Sequence, residues 1–340
     1  MTRHLILGVL TGFLLIASGC RPAPSPKAAA FRPIAPRALD ADNALAEARA
    51  LVALGPRVAY TPGARQAAGH LLLRLQAAGV QSTLDAFTDE TPAGPKTFWN
   101  VMGVIPAAGR QAASAPWIFL GSHFDTKSGI SAEFEGANDS ASSSGLLLEL
   151  ARVLQAAGPL PVNIGIAFFD GEECRDSYTA RDGLHGSRHA ARALYLNRRA
   201  NQVRAVIILD MIGDKDLTVT LPRNSTSDLV ARVFHAAEEE KARAKFALMP
   251  GALLDDHLPF LETGMPAVDL IDFEYGSAPG RNDYWHTPQD TLDKLSAESL
   301  GIVGRVVIRV LNDLMLEASK RPEVRDQRSE VRSQRSEISS

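Results

Sequence analysis

The chain has 340 residues, 36 Lys and Arg against 39 Asp and Glu, a formal net charge of −3 and 45% hydrophobic residues. That composition excludes a disordered or collagen-like chain, which would lack apolar residues or carry a strict glycine period. The near balance of charge offers no electrostatic footprint for nucleic acid, and two cysteines, Cys20 and Cys174, are too few for a disulfide scaffold.

Residues 1–20 join a basic start, Arg3 and His4, to an apolar run from Leu5 to Ile16, small residues and Cys20. This is the pattern of a secretory signal, with a run too short to span a bilayer comfortably. Ala17-Ser18-Gly19-Cys20 resembles a bacterial lipobox, although Ala17 stands where leucine is usual. The expectation is an exported lipoprotein, periplasmic or extracellular, that meets the membrane only through this anchor. An ordinary signal peptide is the alternative. Residues 21–38, rich in Pro and Ala, read as a linker. Residues 319–340 carry a near-repeat of Arg, Glu and Gln with almost no large apolar side chains, the composition of a disordered tail. Residues 39–318 remain as one domain.

Within that domain, 42–54 and 63–79 carry apolar residues at helical spacing, the second ending at Gly79 as a C-cap. Strands are expected at 97–105, 116–121, 162–169, 203–211 and 267–271. Helices are expected at 140–157, 186–199, 225–243 and 295–317. Runs such as Ile164-Gly165-Ile166-Ala167-Phe168-Phe169 are apolar on both faces, as a buried central strand is. The alternation predicts an α/β fold, a three-layer sandwich with a central mixed, mostly parallel sheet between helices.

In such sheets ligands gather at the carboxyl ends of strands, and here those ends carry carboxylates and histidines. The strand at 116–121 runs into His123 and Asp125, that at 162–169 into Asp170, Glu172 and Glu173, and that at 203–211 reaches Asp210. Asp139 opens the helix at 140–157, where it would also serve as an N-cap, and His286 sits in a later loop. Capping does not explain Glu172-Glu173 after an apolar strand, because adjacent buried carboxylates repel unless a cation or proton intervenes. One glutamate facing a metal while its neighbour faces the reacting group is a ligand-plus-base arrangement. A mixed Asp, Glu and His shell suits catalytic zinc, and the lack of cysteine speaks against a structural zinc site.

Seven motifs in order, HFDT at 123–126, GANDSASS at 136–143, FFDGEE at 168–173, GSRH at 186–189, ILDMIG at 208–213, DDHLPF at 255–260 and WHTPQDT at 285–291, resemble the co-catalytic zinc aminopeptidases and the animal-type glutaminyl-peptide cyclotransferases. The resemblance implies a zinc exopeptidase-like fold and a monomer acting on peptide or protein N-termini. On the cyclase pattern it implies one zinc held by Asp139, Glu173 and His286. Glu172 would move protons, Asp210 and Asp255 would form an acidic hydrogen-bond network, and Trp285 and Tyr178 would wall the substrate pocket. On the aminopeptidase pattern it implies two metals, with His123 and Asp210 as further ligands, Asp139 bridging, and Glu172 activating a water. Asp255-Asp256-His257, Trp285 and the Glu173-to-Gly186 spacing favour the cyclase. Tyr178 stands where cyclases carry Trp, and Arg281 where they carry an aromatic.

Other candidates receive plainer roles. Cys174 reads as a small buried filler, His189 as a helix-face residue, and His185 and His257 as loop packing. Asp125 is expected to orient His123, and Asp290 to steady the loop of His286.

Overall fold

The computed structural model describes residues 31–109 and 113–320. The signal segment, residues 21–30 of the linker and residues 321–340 of the tail lie outside the described residues. Ile34, expected within the linker, is buried, and its backbone exchanges two 2.8 Å hydrogen bonds with the Asn312 side chain. That part of the segment therefore packs on the body. Among the described residues no helix is long and apolar enough to cross a membrane.

Helices α1 (Ala41–Val52) and α2 (Pro62–Ala77) start on side-chain caps, Asp40 accepting from the Asn43 amide and Thr61 from the Ala64 amide. An antiparallel hairpin follows, β1 (Gln81–Thr91) with β2 (Gly94–Ile105). The sequence concealed β1, because as a polar edge strand, largely exposed, it lacks an apolar run. Then come β3 (Trp117–His123), α3 (Ser143–Ala156), β4 (Asn163–Phe169), α4 (His185–Leu196), β5 (Val203–Asp210), the short β6 (Val219–Leu221) and α5 (Ser227–Glu239). The chain ends with β7 (Phe246–Leu248), α6 (Leu258–Glu262), β8 (Ala267–Ile271) and α7 (Ala297–Lys320).

The described strands form one mixed sheet in the order β1-β2-β4-β3-β5-β8-β6-β7. The central set β4, β3, β5 and β8 is parallel, with antiparallel pairing where β2 meets β4 and β6 meets β8. Alternate residues serve opposite layers. Ile118, Leu120, Ile164, Ile166, Ile207 and Leu209 belong to the larger core, whereas Phe119, Ala167, Phe169, Val206 and Ile208 belong to a smaller one with residues of α4 and α6. Burial on both faces is why these strands read as continuous apolar runs. Gly121 is forced by packing, since a Cβ there would stand 2.7 Å from the Phe169 ring and 2.8 Å from Ile208. The chain leaves β3 for β4 on one side and returns for β5 on the other. A topological switch point therefore lies at the carboxyl end of β3, where a crevice is expected.

Candidate metal centre and active site

Three strand ends deliver most of the site. His123 closes β3, Asp210 closes β5, and the turn after β4, through Gly171 at φ 77°, presents Glu172 and Glu173. Asp139 lies in a tight turn over Ala137–Ser142 just before α3, and His286 sits in the loop after β8 at φ 53°. All are buried except His286, whose side chain retains 18% exposure.

The imidazole Nε2 of His286 lies 3.0 Å from Glu173 Oε1 and 3.3 Å from Asp139 Oδ2. The other Asp139 oxygen lies 3.1 Å from His123 Nε2, itself 3.2 Å from Asp210 Oδ1. Asp139 thus turns one oxygen toward each of two donor groups, Asp139–Glu173–His286 and His123–Asp139–Asp210, and the donor atoms of each lie within 4.8 Å of one another. Both sets combine carboxylate oxygen with imidazole nitrogen, the chemistry of a zinc or similar divalent site. Glu173 Oε2 makes no hydrogen bond, and Lys127 Nζ lies 3.5 Å from it.

The electrostatics describe a site that wants positive charge. Burial, then the charge of Asp139, pushes the Glu173 carboxyl up to about 7. Burial opposes charge on His286, yet hydrogen bonds to Asp139 and Glu173 raise it to about 9. Glu172 is raised well above the usual carboxylate range, first by burial and then by Glu173, Asp255 and Asp256, against the pull of His123. The Tyr178 hydroxyl donates to Glu172 Oε1 at 2.9 Å, and burial with the nearby Glu172 charge keeps that phenol protonated.

The supporting residues differ in part from expectation. Asp125 comes no nearer than 3.5 Å to His123 Nδ1, and that nitrogen makes no hydrogen bond. Asp125 also accepts from the Glu172 and Glu173 amides at 3.1 and 3.3 Å, so it fixes the two glutamates while facing the imidazole. Asp290 steadies the His286 loop, its amide donating to the Thr287 carbonyl at 3.1 Å, and its side chain reaches further. It accepts from the Asn138 and Asp139 amides at 2.7 and 3.2 Å and from the Tyr275 hydroxyl at 2.8 Å, and so clamps the turn that presents Asp139. Asn138 completes the clamp, its side chain bonding the Met211 carbonyl and the Gly213 amide just past β5.

Arg57, fully buried, was not foreseen. Its guanidinium donates to the carbonyls of Phe124, Glu135 and Gly136 and ties the His123 and Asp139 segments together. Bonds from one side chain to distant carbonyls leave no spacing in the sequence. His185 and His189 pair with Asp89 at 2.8 Å and Asp85 at 3.2 Å on β1, away from the donor groups. Cys174 is buried, with Lys127 Nζ 3.3 Å from its sulfur.

These groups open into a cavity of about 310 Å³ lined by Asp139, Glu172, Glu173, Asp210, Asp255 and His286, with Tyr178, Trp285, Phe273 and Ile271 as its apolar walls. His123 lies behind Asp139 and Asp210 rather than on that surface. A model for peptidase family M28 matches residues 100–311. The chain belongs to peptidase family M28.

Among the relatives of this chain, a glutaminyl-peptide cyclotransferase-like protein of Bos taurus is 32% identical over 268 residues, 69% of this chain. The match spans 65% of that protein's length, as it does for the relative from Mus musculus. The glutaminyl-peptide cyclotransferase of Drosophila melanogaster is 26% identical, over 66% of this chain and 68% of its own. Among solved structures, a glutaminyl cyclase from an Acidobacteriales bacterium superposes with a TM-score of 0.75 at 32% identity, covering 87% of this chain and 99% of that one. A Zn-dependent exopeptidase from Parabacteroides distasonis superposes at 0.70 with 25% identity, covering 84% and 100%. The α/β architecture, a mixed sheet between helices, is thus the one that these solved structures share.

Proposed function

We propose that this chain is a zinc-dependent glutaminyl-peptide cyclotransferase, which closes an N-terminal glutamine to pyroglutamate and releases ammonia. The observation that carries the reading is the division of labour at one rim: Asp139, Glu173 and His286 converge, while the adjacent Glu172 turns away to a tyrosine hydroxyl above the cavity. The names of the relatives and superposing structures support it.

In this reaction the nucleophile, the α-amine, belongs to the substrate, so the protein must orient it, move a proton and exclude water. A zinc ion held by Asp139, Glu173 and His286 would supply Lewis-acid polarisation of the γ-carbonyl. Glu172 takes the proton from the attacking amine and returns it to the departing amide nitrogen, so the carboxylate ends as it began. Its upward shift brings it nearer the working pH, where such transfer contributes roughly 10²–10⁴-fold. The Tyr178 hydroxyl holds one Glu172 oxygen and leaves the other for the proton. Asp255 and Asp210, both on the cavity surface, accept hydrogen bonds from the amine or the departing ammonia. Trp285 and Phe273, with ring centroids 5.2 Å apart, give the uncharged glutamine side chain a flat apolar wall.

One observation favours a second reading, a two-zinc aminopeptidase: Asp139 has an oxygen free for each donor group, as a bridging ligand would. Against it stand Asp255-Asp256-His257 and Trp285 at the rim. The deciding assay incubates the purified protein, with and without a chelator, with a Gln-peptide and with a leucine arylamide. Chelator-sensitive pyroglutamate without leucine release is the expected result. Leucine release with two zinc ions per chain would overturn it in favour of the peptidase. We further propose that residues 39–318, with the packed stretch from Ile34, form the catalytic domain of an exported monomer lipidated on Cys20.

A further inference from the structure

We propose that a groove beside the active-site cavity, behind the ridge of Tyr178 and Leu254, binds the substrate residue that follows the N-terminal glutamine and selects an apolar side chain there. The inference rests on the cyclase reading. The groove has a volume of about 350 Å³; Leu184, Leu254, Leu258, Pro259 and Ala180 give it apolar surface, and Thr179, Arg188 and Glu262 its polar edge. Tyr178 and Leu254 line both it and the active-site cavity, so the two are neighbours across a shared wall.

The reaction itself requires an exit. Ring closure joins the α-amine to the γ-carbonyl, so both lie over Glu172 and the α-carbonyl leads the remaining peptide outward. The floor of the cavity is carboxylate and imidazole. On the Trp285 side, Phe273 and Trp285 pack against the buried Met211, Ile271 and Tyr275. Behind Tyr178 and Leu254 there is space.

The ridge is built to stay in place. The Tyr178 ring lies against Gly183, where a Cβ would come within 2.5 Å of it, and its hydroxyl is bonded to Glu172. Arg188 secures the loop beneath by donating to the carbonyls of Thr179, Ala180 and Gly183, so this guanidinium is occupied and is not aimed at a ligand. The Asp182 carboxylate accepts from the amides of Arg175, Asp176 and Ser177 and closes the same loop on its other side. Leu254, by contrast, is 53% exposed at the crest, an apolar side chain for a passing substrate to cover.

The test compares three probes, the amides of Gln-Leu-Gly, Gln-Ser-Gly and glutamine itself, on the full-length protein and on two variants. Leu258→Ser removes apolar floor, and Ala180→Trp fills the groove from an exposed position, leaving the backbone carbonyl for Arg188. The native protein is expected to show a KM for the leucine peptide about tenfold below that for the serine peptide, the effect of burying one aliphatic side chain. Both variants should erase most of that difference through KM, with kcat little changed and glutamine amide turned over as before. Equal KM for both peptides in the native protein, or variants that leave the difference intact, would overturn the groove and spare the cyclase. Failure to cyclise any of the three would overturn both.

Discussion

Two corners of this molecule hold the same side-chain chemistry under opposite conditions. At one, Asp139, Glu173 and His286 lie within 4.8 Å of one another beside an open cavity. At the other, donor atoms of Asp255, His257 and Asp269 also lie within 4.8 Å of one another. There, His257 and Asp269 are wholly buried, the His257 nitrogens make no hydrogen bond, and its nearest carboxylate oxygen is 3.6 Å away. The first corner is held from behind by Asp290 and Asp125, whose oxygens grip the backbone of Asp139, Glu172 and Glu173. Convergence of ligand-type residues is therefore not enough. Asp255 reaches the cavity but His257 and Asp269 lie sealed behind it, so access from solvent to all three donors, together with a buttressed backbone, separates a metal centre from a buried polar group.

The most severe way to break this contrast is Asp139→Ala. It removes the one residue shared by both donor groups at the open corner, and zinc content and activity should vanish together, checked by elemental analysis beside the Gln-peptide assay. Full activity in the variant would refute the ligand assignment. Next comes Glu172→Gln, which preserves shape and the bond from Tyr178. Turnover should fall by roughly 10²–10⁴-fold while zinc is retained. Loss of metal instead would mean that the two neighbouring glutamates have exchanged roles. A smaller effect is expected of Asp290→Ala, which frees the Asp139 turn without touching a donor atom. Zinc affinity should drop by about 10–100-fold with the sheet intact by circular dichroism. An unchanged affinity would show that the turn holds its shape without the clamp.

Sequence patterning reveals much of the fold and of the donor set, for a physical reason. Strands covered on both faces must be continuously apolar, so β4 and β5 are legible, and a pair of glutamates directly after such a run is conspicuous. Residues that act by gripping backbone leave no such trace. Asp290 reaches Asn138 across 152 positions, and Arg57 reaches Gly136 across 79, with no spacing rule to announce either. Asp125 and Asp290 were legible as supporting carboxylates, but which backbone each supports is decided by how loops cross at the rim. The hairpin strand β1 escaped because its exposed face is polar, and β6 and β7, at three residues each, are too short for any period to show.

The sealed corner yields the gentlest test, one of stability rather than activity. Burial lowers His257 to about 4, so the folded protein keeps this imidazole neutral, whereas the unfolded chain protonates it near 6.5. The unfolded state then binds more protons across that window. The contribution of His257 is complete above about pH 6.5 and is lost as pH falls toward 4. At pH 5 the loss comes to about 2 kcal/mol by linkage. Asp256 works the other way, since burial raises its carboxyl to about 7 and its stabilising proton is lost as pH rises. Glu173, Asp272 and Asp290, each raised by burial to about 7, act as Asp256 does, so the native pH profile is a mixture and only the difference between native protein and His257→Gln isolates the imidazole. Urea unfolding at pH 7.5 and pH 5 should show the native protein losing more stability on acidification than the variant. Equal losses would mean that His257 takes up its proton in the folded state and pairs with Asp269, making the buried corner an ion pair rather than a neutral pocket.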